Sequence, residues 1–359
     1  MARARFDPQP AMSSRSVTAS SNSSSESPDP ETVERLSAGL SGLREQIGRV
    51  VIGQDAVVEE VLLCLLAGGH GLLEGVPGLA KTLLVRTLAR GLELEFRRIQ
   101  FTPDLMPGDV TGTEIIEDDR TTGGRALRFL PGPVFTHVLL ADEINRAPPK
   151  TQAALLEATQ EGSVTAAGET RQVPTPFLVL ATQNPLEQEG TYPLPEAQLD
   201  RFLLKIRVSY PSEQEEQQIL AATTGRVRHE VDAVLGAEEV HLLRTATRQV
   251  PADASLLDYA VRLVRGTRPG SPGQVASVTD WLRWGAGPRA GQALILAGKA
   301  RALIRGRLHL SGEDLQAVAP AVLRHRILPT FRAEAEGLDP DDLVSRLLDR
   351  VPAPASRVA

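Results

Sequence analysis

One short segment of this chain reads Gly75-Val76-Pro77-Gly78-Leu79-Ala80-Lys81-Thr82. It follows the phosphate-binding pattern G-x-x-x-x-G-K-[ST] except at Ala80, where the pattern has its second glycine. Small residues let successive backbone N–H groups curl around phosphate oxygens, and a following helix directs its positive end at them. In this pattern Lys81 reaches the β- and γ-phosphates, and the Thr82 hydroxyl binds Mg²⁺. Because alanine is best tolerated at negative φ, we expect Ala80 to have the backbone of a helix start.

The residues on either side of this segment favour the same interpretation. Leu72-Leu73-Glu74 is short and apolar, as a buried parallel strand would be, and Leu83, Leu84 and Leu88 have helical spacing. Gly91 is a suitable helix end. The sequence therefore predicts a strand, a glycine-rich turn and a helix, which is the arrangement that a phosphate loop needs. An ordinary Gly/Pro turn is the alternative.

Composition limits the classes of protein to which the chain can belong. Its 359 residues allow two domains, and 42% hydrophobic with 23% charged residues is ordinary for a globular protein. A net charge of −6 gives no general attraction to nucleic acid or anionic membrane. We expect no transmembrane helix, because no apolar run approaches the necessary length. The single cysteine, Cys64, lies in an apolar run and suits a buried position and a reducing cytoplasm.

The chain divides into four predicted segments. Residues 1–30 are rich in Ser and Pro and are expected to be a disordered tail, as are residues 351–359. Residues 31–210 alternate strand-like and helix-like runs, which predicts a parallel five-stranded sheet covered by helices. Residues 211–350 have helical patterns, which predicts a second, all-α domain in which the strands stop after Pro211. The predicted strands are 72–73, 98–101, 138–141, 177–181 and 203–206.

Two acidic residues follow the apolar strand at 138–141. Asp142 is a candidate ligand of Mg²⁺, because acidic residues hold the metal at such strand ends in phosphate-loop enzymes. Glu143 is a candidate for orienting and polarising an attacking water. A plain strand exit is the alternative, although the preceding phosphate loop and the α/β alternation favour the catalytic interpretation.

Three further polar residues are candidates at later positions. Asn184 ends the next predicted strand, where a carboxamide could hold the same water or contact the γ-phosphate; a simple Asn-Pro turn is the alternative. Arg201 directly precedes an apolar strand, and Arg289 opens a helix after a glycine–proline break. A guanidinium near a γ-phosphate stabilises negative charge in the transition state, and one from a neighbouring subunit would couple hydrolysis to assembly. On local sequence alone, both could be ordinary surface arginines.

With these residues identified, the chain resembles the MoxR family of AAA+ ATPases from about Val50 to Arg350. Ala80 resembles the family's own variant of the loop, and Gly287 stands where a serine is expected. The resemblance is carried by the segments 74–82, 101–112, 141–152, 181–185 and 285–290.

The resemblance implies a role for each candidate residue. Gly75 to Thr82 resemble the Walker A loop, and Asp142 with Glu143 resemble the Walker B acids. Asn184 resembles sensor one, Arg201 the arginine finger and Arg289 sensor two, while Val51 and Ile52 resemble the residues that pack on adenine. The implied fold is an αβα nucleotide domain followed by a helical lid, with ATP and Mg²⁺ bound between them. A hexameric ring is also implied.

The resemblance further implies a chaperone-like motor that activates or assembles partner proteins, which often carry von Willebrand factor A domains. Residues 104–112 resemble an inserted loop of this clade, and residues 162–171 resemble a hairpin before sensor one. The alternation around Ala167-Gly168 independently predicts a hairpin with a tight turn. We expect both loops to face the pore of the ring or the client, although a purely structural excursion is the alternative.

Other functions remain open on the sequence. A nucleotide-controlled binding switch with slow turnover would use the same residues, as would a magnesium-chelatase-like ATPase subunit. A DNA-directed AAA+ protein is disfavoured by the acidic balance and by an aromatic content of 4%. We therefore expect no nucleic-acid partner.

Overall fold

The computed structural model describes residues 30–118, 125–185, 190–225 and 230–354. The predicted N-terminal tail up to residue 29 and the last residues, 355–359, lie outside the described residues. Cys64 is buried, as predicted. Within the described ranges, no helix is both long and apolar enough to cross a bilayer.

The N-terminal half alternates helices and strands around one sheet. Its helices are α1 (Pro30–Val50), α2 (Asp55–Ala67), α3 (Lys81–Gly91), α4 (Pro107–Thr111), α5 (Pro149–Glu161) and α6 (Glu196–Leu199). Its strands are β1 (Gly71–Glu74), β2 (Phe96–Gln100), β3 (Gly112–Asp118), β4 (Arg125–Pro131), β5 (Val138–Asp142), β6 (Ser163–Ala166), β7 (Glu169–Gln172), β8 (Leu178–Gln183) and β9 (Leu204–Arg207).

Five of these strands form the predicted parallel sheet, in the order β2-β5-β8-β1-β9. Each lies within about two residues of its predicted position. Strands β5 and β8 are almost fully buried, which explains their continuous apolar sequences. The sheet therefore confirms the α/β architecture and brings the carboxyl ends of its strands to one edge.

Two antiparallel hairpins lie outside the central sheet. The hairpin β6–β7 confirms the predicted tight turn, because Ala167 and Gly168 both have positive φ, at 55° and 79°. The hairpin β3–β4 was not predicted. Its outer part leaves Ile116 and Leu127 largely exposed, so the sequence lacks the apolar-in, polar-out alternation of a half-buried strand.

The C-terminal half is helical, as predicted, with two short exceptions. Its helices are α7 (Glu213–Thr224), α8 (Ala237–Gln249), α9 (Ala254–Gly266), α10 (Ala276–Thr279), α11 (Pro288–Ile304), α12 (Gly312–Leu323), α13 (Phe331–Ala335) and α14 (Pro340–Arg350). The expectation that strands stop after Pro211 is wrong, because β10 (Leu282–Trp284) pairs with β11 (Leu328–Pro329). Segments this short carry no detectable period-two pattern.

Local signals set several helix ends. Helix α7 begins with a capping box, in which Ser212 and Glu215 are bonded reciprocally. At the other end of the chain, α14 stops at Arg350, but Val351 is buried in the core and Ala353 packs against it. Packing thus continues past the predicted boundary at Arg350.

One hydrophobic core joins the two halves of the molecule. An apolar stripe on α1, which includes Leu36, Leu40 and Leu43, is fully buried together with residues of α2, α9, α11 and α12. Arg244 on α8 adds a polar tie, because it donates to the backbone oxygens of Leu65 and Phe177. Because α11 is packed into this shared core, its first turn has a fixed position beside the nucleotide domain.

Candidate functional site

The predicted site residues meet where the strands of the sheet end. The pairs Ala141–Ala181 and Glu74–Gln183 set β5, β8 and β1 in register, so the residues that follow each strand share one edge. A cavity of about 380 Å³ lies at this edge. It is lined by Pro77, Gly78, Leu79, Ala80, Lys81, Thr82, Arg98, Gln100, Asp142, Glu143, Thr182 and Asn184.

The segment 75–82 forms a loop that wraps around its own lysine. Lys81 Nζ donates to the backbone oxygens of Gly75 and Val76, at 2.5 and 3.1 Å. Burial lowers the pKa of Lys81, while the nearby carboxylates of Asp142 and Glu143 act in the opposite direction. Lys81 is the first residue of helix α3, and the N-terminus of a helix is a position where anions are stabilised.

Ala80 corrects one prediction. Its φ is 53° and its ψ is 19°, which is left-handed backbone and not the expected negative φ. Gly78 also has positive φ, at 87°. The loop must reverse direction in few residues to direct its amides inward. This tight path imposes the left-handed conformation on Ala80, which costs about 1 kcal/mol of conformational energy.

Asp142 is held from two sides. The Thr182 hydroxyl donates to Oδ1 at 2.5 Å, and the Arg98 guanidinium donates to Oδ2 through Nε at 3.1 Å and a terminal nitrogen at 2.6 Å. Both oxygens of the predicted metal ligand are therefore hydrogen-bonded within the protein.

Glu143 has a strained backbone at the start of the turn Ile144–Arg146. Its φ of 57° is unusual for a non-glycine residue, and its N–H donates to the Thr182 hydroxyl oxygen at 2.8 Å. Its carboxylate accepts from Gln100 Nε2 at 2.7 Å and from Arg146 at 2.9 Å. Such strain is concentrated at functional sites, because the surrounding structure must hold it in place.

Asn184 lies in the same cavity and is only 6% exposed. The structure thus brings Asn184 together with Lys81 and both acids. It also adds Arg98, Gln100 and Thr182, which the sequence analysis did not single out. A signal for the first two existed, because Arg98 and Gln100 are polar at alternate positions of a strand and therefore share a face.

The two candidate arginines lie apart from this cavity. Arg201 is half-buried, and its side chain has no hydrogen bond or ion pair with any described residue. Arg289 lies in the first turn of α11, as predicted, with its guanidinium 3.9 Å from Asp200. Asp200 is held more closely by the buried Arg326, at 2.8 Å. Asp200, the residue next to Arg201, thus contacts two arginines of the lid.

The predicted adenine contacts are also outside the cavity lining. Val51 is buried within the hydrophobic core, and Ile52 is half-buried beside it. Their adenine role stays a prediction, which an analogue-bound structure would test.

The oxygen donors of the cavity suit Mg²⁺. This ion takes one or two protein ligands and completes its shell with water and phosphate oxygens. The Thr82 hydroxyl and the Asp142 carboxylate supply such ligands, and both line the same cavity as Lys81. The residues present therefore fit a magnesium–triphosphate group.

Comparison with known proteins identifies the family of the chain. Residues 70–204 match the ATPase family associated with various cellular activities (AAA), and residues 277–347 match the AAA lid domain. The chain is 44% identical to chaperone MoxR1 of Mycobacterium tuberculosis, over 90% of this chain and 86% of that protein. The chain belongs to the MoxR family of AAA+ ATPases.

Two further similarities extend over nearly the whole of this MoxR-family chain. It is 44% identical to protein YeaC of Bacillus subtilis, over 88% of this chain and 95% of that protein. A solved structure from Cytophaga hutchinsonii has a TM-score of 0.83 and 40% identity, covering 90% of this chain and 97% of the other. Both the nucleotide domain and the lid therefore follow the family arrangement.

Proposed function

We propose that this chain hydrolyses ATP in the cavity at the sheet edge and uses the reaction to remodel, activate or assemble partner proteins. The observation that carries the proposal is the convergence of the phosphate loop, Lys81, Asp142, Glu143 and Asn184 on that one cavity. These residues come from three separate parts of the chain, and each has the chemistry that its proposed role needs.

Nucleotide binding would use the loop amides and Lys81. The ammonium now donates to Gly75 and Val76, and it would exchange those carbonyls for β- and γ-phosphate oxygens. Thr82 and Asp142 would hold the metal. Mg²⁺, when bound, neutralises charge on the phosphates and orients them. Loop amides and the ammonium stabilise charge on the transferred phosphoryl group.

Hydrolysis needs a positioned water. We assign that task to the Glu143 carboxylate, with the Asn184 carboxamide as a second hydrogen-bonding group beside the γ-phosphate. Gln100 and Arg146 both donate to Oε2 of Glu143, so the water would hydrogen-bond to Oε1 while these two contacts hold the carboxylate in place.

The arginines support a ring. Arg201 is unpaired among the described residues and lies outside the lining of its own subunit's cavity, so it suits a site on a neighbouring subunit. We propose a homo-oligomer, in the form of a hexameric ring, in which Arg201 completes the adjacent site. Arg289, on the lid, would approach the phosphates of its own subunit by leaving Asp200.

The first experiment measures nucleotide binding and phosphate release. Lys81→Ala should abolish binding of a fluorescent ATP analogue, because the loop loses its one ammonium. Lys299→Ala, a lysine that caps the Arg248 backbone oxygen elsewhere, is the matched control and should bind normally. Unchanged ATP hydrolysis by the Lys81 variant would contradict the proposal.

The second experiment tests the ring and its arginine finger. Arg201→Ala should bind nucleotide but lose turnover by about 10³-fold. Arg262→Ala, which removes an exposed arginine from α9, should leave turnover unchanged. Mixing Arg201→Ala subunits with Glu143→Gln subunits should restore activity, because some interfaces then combine an intact acid with an intact arginine. If the mixture hydrolyses ATP no faster than the two variants do separately, the result would argue against a site shared between subunits.

Client activation separates a motor from a switch. We propose partners with von Willebrand factor A domains, contacted through the hairpin β6–β7. With a candidate partner, Glu143→Gln should trap the client and block its activation if hydrolysis drives the work. Full activation by that variant in ATP would favour a nucleotide-controlled switch. Full activation after charge reversal within residues 165–170 would exclude the hairpin as the client-binding element.

A further inference from the structure

The Arg98 side chain contacts the carboxylate of Asp142, the residue that would hold the metal. Arg98 lies on the edge strand β2, and its side chain is 46% exposed in the cavity. Two of its nitrogens donate to Asp142 Oδ2, and one also donates to the Gln100 side-chain oxygen at 2.7 Å. The guanidinium thus fills the open side of this carboxylate.

Asp142 has no free oxygen in this arrangement. Oδ1 accepts from Thr182, which in turn accepts from the backbone N–H of Glu143, so that contact belongs to the framework of the site. Oδ2 accepts from Arg98 alone among the described contacts. A divalent cation that binds Oδ2 would meet a guanidinium at hydrogen-bonding distance, and like charges in a partly enclosed cavity repel strongly.

The Arg98 contact is the replaceable one. The Arg98 side chain is nearly half exposed, and ion pairs with exposed partners are weak because water competes for both charges. Thr182, in contrast, is almost fully buried. The guanidinium can therefore leave the carboxylate more readily than Thr182 can.

We propose that Arg98 is a positioning residue that pairs with Asp142 while the site is metal-free and releases that carboxylate when Mg²⁺ binds with nucleotide. This inference rests on the proposed ATP site. While it pairs with Asp142, Arg98 competes with the metal for that carboxylate and shields a metal-free triphosphate from its negative charge. It therefore weakens the thermodynamic coupling between Mg²⁺ and ATP.

The test compares the Kd of a fluorescent, non-hydrolysable ATP analogue in EDTA with its Kd in saturating Mg²⁺. In Arg98→Gln the Kd in EDTA divided by the Kd in Mg²⁺ should rise by about fivefold or more. Nucleotide alone binds more weakly to this variant, and the metal meets no competitor for Asp142. Arg98→Lys should lie between wild type and the glutamine variant, since lysine keeps the charge but not the two-nitrogen contact.

Arg97→Gln is the matched control. Arg97 is the neighbouring residue of the same strand, pairs with Glu95 and does not line the cavity, so its loss should leave the ratio unchanged. A ratio in folded Arg98→Gln that is within about twofold of wild type, or lower, would overturn the inference. Absence of any analogue binding by wild type would instead overturn the proposed ATP site itself.

Discussion

Two aspartates in this molecule are each held by arginine, but in opposite surroundings. Asp142 faces the cavity, with its side chain 15% exposed and its partner Arg98 46% exposed. Asp314, on the lid helix α12, has no exposed side-chain surface and accepts from Arg301 at 2.7 Å and from Arg307 at 2.6 Å. The same pair of functional groups thus forms a sealed structural contact in the lid and an open, exchangeable one at the sheet edge.

Burial and hydrogen bonding together explain the lid cluster. Burial alone would raise the pKa of Asp314, but hydrogen bonds from Arg307, Ser311 and Arg301 outweigh it and lower the pKa. Glu60, on α2, shows the contrary case. Burial raises its pKa to about 7, and the neighbouring Arg324 gives its hydrogen bonds to Asp341 and to the Lys205 backbone. Donors, more than nearby charge, decide whether a buried carboxylate ionises.

The largest expected effect on stability follows from breaking the sealed cluster. Asp314→Asn should lower the free energy of unfolding by about 3 kcal/mol, because it removes the counter-charge of Arg307 and leaves Arg301 with Glu59 alone, at 3.6 Å. Urea denaturation at neutral pH measures the loss. Since the folded pKa of Asp314 is depressed, its contribution should be present above its unfolded pKa and disappear as the pH falls through the folded value. A variant as stable as wild type at neutral pH would remove this distinction between the two aspartates.

Glu60→Gln should have a smaller effect of the opposite sign. The folded pKa of about 7 lies above the unfolded value, so the contribution of Glu60 is complete below about 4.5 and is lost as the pH rises through about 7. The glutamine variant should therefore exceed wild type in stability at about pH 8, by on the order of 1 kcal/mol, and match it in acid. If the unfolding free energies of the variant and wild type differed by the same amount at every pH, the result would contradict the role of Glu60 ionisation.

At the open site, Asp142→Asn tests the comparison directly. The same substitution that damages the lid should change the unfolding free energy here by less than about 1 kcal/mol, because the remaining charge of Arg98 can be solvated. It should nevertheless remove most of the effect of Mg²⁺ on analogue binding. Large destabilisation by this variant would mean that Asp142 is structural in the way Asp314 is.

The smallest effect is expected at a fully surface pair. Asp258 and Arg262 are one turn apart on α9, 2.9 Å from each other and both well exposed. Asp258→Asn should change stability by less than about 0.5 kcal/mol, as measured by the same denaturation. A larger loss would show that exposure is a poor guide to the strength of these pairs.

Much of the site was predictable because its signals are local. The loop from Gly75 to Thr82, the acids after β5 and Asn184 after β8 each follow an apolar strand, and parallel strands bring such ends together. The left-handed Ala80 was mispredicted because a local rule of backbone preference was outweighed by the path that the loop must take. Arg98 was not found because a polar residue on an edge strand has the same sequence pattern whether it faces solvent or a carboxylate.

The sequence by itself determined the five strands of the central sheet, the phosphate loop and the identity of the two acids, since these depend on periodicity and short motifs. Only the tertiary structure decided which arginine pairs with which aspartate. Arg98 reaches Asp142 across 44 residues, and Arg326 reaches Asp200 across 126. Such contacts depend on strand register and helix packing, and no spacing along the chain encodes them.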